Sequence, residues 1–165
     1  MKKVFAKICI CFFLAAGTAL PAWGYGDVNI PDTKKLAAQG DPSAQVQLGV
    51  LYSTGIGVEM DKKEAIKWYR KSADQGYPEG EWNLAFMYVK GEGVEQNYTE
   101  ALALFRRAAE KGYENAQYDL GMMYLQGLGV KEDELEARKW FRRAAALGYK
   151  DAIKILKEFD KFDKK

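Results

Sequence analysis

The chain has 165 residues, of which 25 are lysine or arginine and 23 are aspartate or glutamate, and its formal net charge is +2. A hydrophobic share of 48% and a charged share of 29% are typical of one globular domain and exclude a disordered or collagen-like chain. The sequence contains no histidine, which excludes Ser-His-Asp and Cys-His catalytic arrangements and histidine-containing zinc sites.

The first 24 residues have the pattern of a secretory signal peptide. Three lysines precede an apolar run over 8–20, and small residues at alternate positions lead to Gly24. The run is short for a membrane span, so we expect export to the periplasm with cleavage after Gly24, and secretion as a further possibility. The alternatives are an uncleaved membrane anchor and a hydrophobic amino-terminal helix. Both cysteines, Cys9 and Cys11, lie in this segment and would be removed with it.

Removal of the signal peptide would change the charge balance. The segment takes three of the 25 basic residues and no acidic residue, so 22 basic and 23 acidic side chains remain, with a formal net charge of −1. This balance does not favour a nucleic-acid partner. No cysteine remains to form a disulfide, so stability must come from packing. We expect a linker over 25–32 and a folded array over 33–165.

A strict period of 36 residues runs through that array. It relates glycines, leucines and tyrosines without any insertion: Gly40, Gly76, Gly112 and Gly148; Leu48, Leu84, Leu120 and Leu156; Tyr52, Tyr88 and Tyr124. Such a period is typical of stacked structural repeats. It predicts three full repeats over 41–76, 77–112 and 113–148, followed by a capping helix over 149–165.

Each repeat contains the start and stop signals of two helices. In the first repeat, one helix is predicted from about Pro42 to Ser53, with a proline in its first turn and Gly55 as its stop. The second helix is predicted to open at Asp61, with Glu64 completing a capping box. The same signals recur at the same spacing in the other two repeats: Gly91 and Gly127; Asn97 and Glu100; Asp133 and Glu136.

The repeated pattern A-x-x-x-L-G-x-x-Y-x-x-G-x-G-V-x-x-D-x-x-x-A-x-x-W-Y-x-x-A-A-x-x-G resembles the Sel1-like repeat, a relative of the tetratricopeptide repeat. The resemblance covers Asp41 to Gly148. Its departures from the pattern include Ser72, Gly80, Ala85 and Leu104. The resemblance implies an all-α fold, a right-handed α-solenoid of antiparallel helix pairs with a capping half-repeat at each end.

The first helices carry a second apolar set besides their packing stripe, and a helix that is apolar on two sides needs two partners. In the related tetratricopeptide arrangement these positions line the concave groove that receives a partner. We therefore predict a partner-binding face formed by Val46, Val50, Trp82, Phe86, Val89, Tyr118, Met122 and Leu125, and the alternative is that these residues only pack against neighbouring helices of the array. Polar residues are expected to surround the face, namely Glu81, Asn83, Lys90 and Asp119.

A basic pair also recurs on the second helices, as Arg70 with Lys71, Arg106 with Arg107 and Arg142 with Arg143. Stacked repeats would align these pairs into a basic ladder on the outer face that could meet an anionic surface. The alternative, which we favour, is a solvated face on which Asp74 and Glu110 pair with Arg70 and Arg106 one helical turn away.

No catalytic, metal-binding or cofactor site is indicated by the sequence. The resemblance implies a non-catalytic module that binds another protein as an adaptor, a regulator or an immunity protein, for example against a secreted lipase effector. The alternative is an enzyme that acts on cell-wall material or β-lactams, because a cysteine-rich branch of the family has been linked to that chemistry. This chain lacks the paired cysteines of that branch, and it lacks a nucleophile beside a base.

Overall fold

The computed structural model describes residues 29–163. The predicted signal peptide over 1–24 and the start of the predicted linker lie outside these residues. The described part of the chain contains eight helices and no strand: α1 (Ile30–Ala38), α2 (Pro42–Thr54), α3 (Lys62–Asp74), α4 (Pro78–Lys90), α5 (Tyr98–Glu110), α6 (Glu114–Gln126), α7 (Glu134–Ala146) and α8 (Lys150–Asp163). The all-α prediction is confirmed.

The helices pair as the repeat predicts. α2 with α3, α4 with α5 and α6 with α7 form three helical hairpins, and each hairpin packs on the next. α1 takes the place of the second helix of a preceding repeat, and α8 takes the place of the first helix of a following one. Together they form a right-handed α-solenoid with a half-repeat at each end.

The array begins earlier than predicted. α1 starts at Ile30, within the predicted linker over 25–32, because Asn29 caps it: the Asn29 side chain accepts a hydrogen bond from the backbone N–H of Asp32 at 3.2 Å. Pro31 lies in the first turn, where a missing N–H costs nothing.

The first helix of every repeat ends on a glycine in the left-handed conformation. The three residues have φ values of 75°, 68° and 67° and are Gly55, Gly91 and Gly127. A side chain at these positions would be strained, which explains why the stop signal recurs at the period of the repeat.

The second helices start with half of the predicted capping box. Asp61 accepts hydrogen bonds from the backbone N–H groups of Lys63 and Glu64, and Asn97 accepts the two equivalent bonds. Asp133 accepts one, from the backbone N–H of Glu136. In a full capping box, the Glu64 carboxylate would accept a hydrogen bond from the backbone N–H of Asp61. This N–H donates instead to the Tyr52 carbonyl at 2.9 Å, and the two later repeats form the equivalent bond. The Glu64 carboxylate is therefore available for Lys67, which it contacts at 2.7 Å.

Close approach between the two helices of a repeat depends on small residues in the first helix. A Cβ atom added to Gly121 would lie 2.6 Å from the Phe141 ring, and Gly49 lies equally close to the Tyr69 ring. The second repeat has Ala85 at this position and buries it fully. The stacked helices bury a nearly continuous apolar core of alanine, leucine, methionine and aromatic side chains along the array.

Candidate protein-binding face

The first helices of neighbouring repeats lie side by side, and the predicted binding residues occupy matching positions on them. α2 contacts α4, and Trp82 of α4 reaches Asp119 of α6. Because each position recurs after 36 residues, Val46, Trp82 and Tyr118 are equivalent, and so are Val50, Phe86 and Met122. We call the surface that these helices form the first-helix face.

Five of the eight predicted binding residues are buried by their own chain. They are at most 7% exposed and are Val46, Val89, Tyr118, Met122 and Leu125. Tyr118 lies between the rings of Phe141 and Tyr149, with ring centroids 5.5 and 5.0 Å away. Neighbouring helices cover these five side chains. The side chains therefore belong to the core beneath the first-helix face and are not accessible to a partner.

The other three residues keep part of their surface in water. Val50, Trp82 and Phe86 are half-buried and pack against the core from above. The Trp82 and Phe86 rings lie 5.1 Å apart in a tilted arrangement, and the Trp82 ring meets the edge of Tyr113 at 5.9 Å. We call these three residues the first-helix patch. Such a rigid aromatic pair is typical of interface anchors.

Trp82 is held in place by Asp119. The indole Nε1–H donates to Asp119 Oδ2 at 2.6 Å, which joins the second repeat to the third. Burial raises the pKa of Asp119 to about 7, although the hydrogen bond from Trp82 acts in the opposite direction. Asp119 therefore lies at the face as predicted, but one of its oxygens is already engaged within the chain.

Two further predicted polar neighbours are also engaged within the chain. Asn83 donates a hydrogen bond to the Glu79 carbonyl at 2.8 Å. Lys90 extends over the Phe86 ring, with its Nζ atom 5.5 Å from the ring centroid, and lies 3.9 Å from the Glu92 carboxylate. Lys90 therefore places a positive charge at the edge of the first-helix patch.

The prediction that Glu81 lies at the edge of the face is wrong. Glu81 is 0% exposed, and its Oε1 atom accepts from Arg107 Nε at 2.9 Å and from Lys111 Nζ at 2.8 Å. The two cations also reach backbone carbonyls: Arg107 donates to Ala73 and Lys111 to Gly76. A buried carboxylate needs such partners, so Glu81 ties the first repeat to the second and does not face a partner.

The equivalent of Glu81 in the other repeats is a buried glutamine. Gln45 Nε2 donates to the Ala37 carbonyl at 3.2 Å, and Gln117 Nε2 donates to the Ala109 carbonyl at 3.1 Å. A carboxylate cannot make this bond because it has no donor, and in the second repeat Arg107 supplies the missing N–H. All three repeats therefore satisfy the same carbonyl, by two different routes.

The basic pairs of the second helices also serve the chain itself. Arg70 and Arg106 donate to the hydroxyl groups of Tyr88 and Tyr124 on the following first helix, and the predicted pairing with Asp74 and Glu110 is replaced. The second member of each pair is also engaged: Lys71 lies over the Trp68 ring at 3.9 Å, Arg107 binds Glu81, and Arg143 lies over the Trp140 ring at 4.4 Å. Arg142, the remaining member of the predicted ladder, is exposed.

One series of residues was missed at the sequence level. Tyr77, Tyr113 and Tyr149 precede the first helices at the period of the repeat. Tyr113 and Tyr149 pack on the rings of Trp82 and Tyr118, respectively. Burial raises the pKa of Tyr113 and of Tyr149 to about 12. The 36-residue spacing was the signal that could have found them.

Within residues 29–163, no helix is long and apolar enough to cross a membrane, and no group of three or more acidic, cysteine or histidine side chains could hold a metal ion. These residues form a helical array with a partly exposed aromatic face.

An array of this kind is a repeat scaffold of the α-solenoid class. The Sel1 repeat model matches residues 42–77, 78–113 and 115–149, which is more than half of the chain, so the chain belongs to the Sel1 repeat family. Proteins of this family are generally protein-interaction modules, and their fold is generally a non-catalytic scaffold. No curated protein matches the chain.

Solved structures show the same architecture. A Sel1 repeat protein from Oxalobacter formigenes is 40% identical over 78% of this chain and 96% of its own, with a TM-score of 0.71. A protective antigen of uropathogenic Escherichia coli with an SLR fold is 42% identical over 76% of this chain, with a TM-score of 0.73, but the match spans only 27% of that antigen. The Helicobacter pylori cysteine-rich protein B shares the fold, with 24% identity over 80% of this chain and 99% of its own and a TM-score of 0.62.

Proposed function

We propose that this protein is an exported, non-catalytic binding module that captures one partner protein on its first-helix face, in the periplasm. The observation that carries the proposal is the first-helix patch: Trp82 and Phe86 lie together, partly exposed, on a rigid helix in the middle of the array. The pattern of a signal peptide over 1–24 supports export. Inhibition of a secreted effector is one form that such capture could take, and adaptor or regulator functions are the others.

The rigidity of the patch favours binding. The Trp82 ring is fixed by its hydrogen bond to Asp119 and by edge contact with Tyr113, so little conformational entropy is lost when a partner covers it. The buried residues beneath the patch, such as Met122 and Val89, hold its helices at a constant spacing. A partner would contribute an apolar segment that covers the exposed parts of Val50, Trp82 and Phe86.

Site-specific photo-crosslinking in the producing cell tests the proposal. A photoreactive phenylalanine analogue at Phe86 is expected to crosslink one periplasmic protein, whereas the analogue at Phe162, an exposed aromatic of α8, is expected not to. The protein identified in this way is then purified and its affinity for the chain measured. Phe86→Ala is expected to weaken binding by about 1 to 2 kcal/mol, as for an interface anchor, and Leu135→Ala to leave it unchanged.

Two outcomes would contradict the proposal. One is equal crosslinking at Phe86 and Phe162, and the other is an unchanged affinity in Phe86→Ala when the thermal midpoint shows that the variant is folded. Fractionation of cells locates the chain independently. The enzymatic alternative has a separate test: hydrolysis of a chromogenic β-lactam by the purified protein would overturn the non-catalytic assignment.

A further inference from the structure

The charges of the array are divided unequally between its two kinds of helix. The three first helices, α2, α4 and α6, contain four acidic residues and one basic residue. The three second helices, α3, α5 and α7, contain six acidic and eleven basic residues, and α8 is balanced, with four of each sign. The first helices, which form the proposed binding face, are therefore the acidic part of the array.

Two of the four acidic residues lie beside Trp82. Glu79 precedes Trp82 by one helical turn, so the two side chains leave α4 on the same side. Asp119 belongs to the neighbouring α6, and its Oδ2 atom accepts the hydrogen bond from the Trp82 indole. Burial raises the pKa of Tyr113, and the nearby charge of Glu79 raises it further, which places this carboxylate close to the ring that meets the edge of Trp82. Trp82 therefore has a carboxylate beside it on each of two neighbouring helices.

Neither carboxylate has a cation as its partner within residues 29–163. None of the ion pairs in this part of the chain includes Glu79 or Asp119. Burial raises the pKa of both groups, and the hydrogen bond from Trp82 opposes this effect only at Asp119. Both side chains remain partly exposed. A cation that a partner brings to this place would interact with them strongly, because the surrounding protein reduces screening by water.

The basic residue of the first helices lies at the other end of the first-helix patch. Lys90 ends α4, eleven residues after Glu79, so the two positions are about 16 Å apart along the helix. The Lys90 ammonium lies over the Phe86 ring and 3.9 Å from the Glu92 carboxylate. The patch thus has an acidic end at Trp82 and a basic end beyond Phe86, and a cation of the partner is attracted to the first and repelled by the second.

We propose that the first-helix patch binds a segment of the partner protein in which an arginine neighbours an apolar side chain, with the guanidinium on the exposed part of the Trp82 ring beside Glu79 and Asp119. Arginine fits this place because its planar guanidinium can stack on an aromatic ring while it donates to carboxylates at the edge of the ring. The neighbouring apolar side chain covers Phe86 and Val50. This inference rests on the proposed function, because it names the chemistry of the partner that the face captures.

Selection of peptides on the full chain tests the inference, with a phage-displayed library of random dodecapeptides as the probe. Peptides that bind the parent but not Phe86→Ala are expected to be enriched in arginine next to an aromatic or aliphatic residue. Replacement of that arginine by citrulline, its uncharged isostere, is expected to lower the affinity about tenfold. Equal affinities of the arginine and citrulline peptides would overturn the inference.

A matched pair of double variants gives a second test. Glu79→Gln with Asp119→Asn removes both charges and keeps an oxygen that can accept from Trp82, and we expect it to bind the arginine peptide about tenfold more weakly. Asp74→Asn with Glu110→Gln removes the same charge from exposed positions of α3 and α5 and is expected to bind as the parent does. No loss in the first variant, or an equal loss in both when circular dichroism shows that they are folded, would overturn the inference.

The inference and the proposed function fail in different ways. Selected peptides that need Phe86 but show no excess of arginine would overturn the inference and leave the proposed function in place. Selected peptides that bind Phe86→Ala as tightly as the parent, or a selection that yields no binding peptide, would contradict the first-helix face as a binding site and overturn both.

Discussion

The second and third repeats solve the same packing problem with different chemistry. The second buries a carboxylate, Glu81, and supplies two cations to it, whereas the third buries a neutral amide, Gln117, and supplies none. The equivalent arginines of the two repeats have different partners. In the third repeat Arg143 lies over the Trp140 ring. The second repeat has Leu104 at the position of Trp140, and its Arg107 binds Glu81 instead. One charged substitution in a repeat is thus accompanied by changes at the positions that surround it.

The comparison also shows that neither repeat pairs every buried oxygen within the described residues. Glu81 Oε1 accepts hydrogen bonds from Arg107 and Lys111, but Glu81 Oε2 and Gln117 Oε1 have no hydrogen-bond partner among residues 29–163. A buried polar group therefore makes each repeat dependent on the partners that its own sequence supplies.

Removal of both cations from the second repeat should have the largest effect on stability. In Arg107→Ala with Lys111→Ala, Glu81 becomes a buried charge without a partner, and we expect a loss of about 3 kcal/mol in the free energy of unfolding, measured by urea denaturation. Addition of Glu81→Gln should restore most of this loss, because a glutamine can donate to the Ala73 carbonyl as Gln45 and Gln117 donate to theirs. A triple variant no more stable than the double variant would contradict the equivalence of the repeats.

An exchange of the small residue in the first helix should have an intermediate effect. Gly121→Ala places a Cβ atom against the Phe141 ring, and we expect a net loss of about 1 to 2 kcal/mol after the gain in helix propensity. Ala85→Gly, the matched change in the second repeat, relieves no contact and should cost about 1 kcal/mol through helix propensity alone. Thermal unfolding of both variants measures the difference. A Gly121→Ala variant as stable as the parent would show that Phe141 can move aside freely.

The smallest expected effect concerns the pH dependence of stability. Asp119 of the third repeat is equivalent to Asn83 of the second, so Asp119→Asn copies one repeat onto the other. Burial raises the pKa of Asp119 to about 7, above the value of an unfolded chain. The folded state therefore binds the proton more tightly, and the stability that Asp119 contributes is full below about pH 4 and is lost as the pH rises through about 7.

Thermal midpoints of the parent and of Asp119→Asn, measured between about pH 4 and pH 8, test this prediction. As the pH rises, the free energy of unfolding of the parent should fall relative to that of Asp119→Asn by about 1 kcal/mol or less. The effect is small because Asp119 keeps part of its surface in water. Glu79, whose pKa is also raised by burial, is present in both proteins and cancels in the difference. A difference that is independent of pH would contradict the raised pKa of Asp119.

The sequence by itself determined the architecture. A 36-residue period, glycines at the helix ends and acidic or amide caps at the helix starts specify local backbone conformations, and these signals act within a few residues of the chain. All eight helices and their pairing follow from them, apart from the start of α1 at Ile30, where Asn29 supplies a cap that the pattern did not include.

Only the tertiary structure decided which side chains remain accessible. Val46, Tyr118 and Met122 carry the same apolar signal as Val50, Trp82 and Phe86, yet the first three are buried and the last three are partly exposed. From the sequence, Glu81 is expected at the surface, and only the structure shows that Arg107 and Lys111, 26 and 30 residues further along the chain, pair with it in a buried position. Burial is a property of the neighbours that other repeats bring to a position, and a pattern of local signals does not contain it.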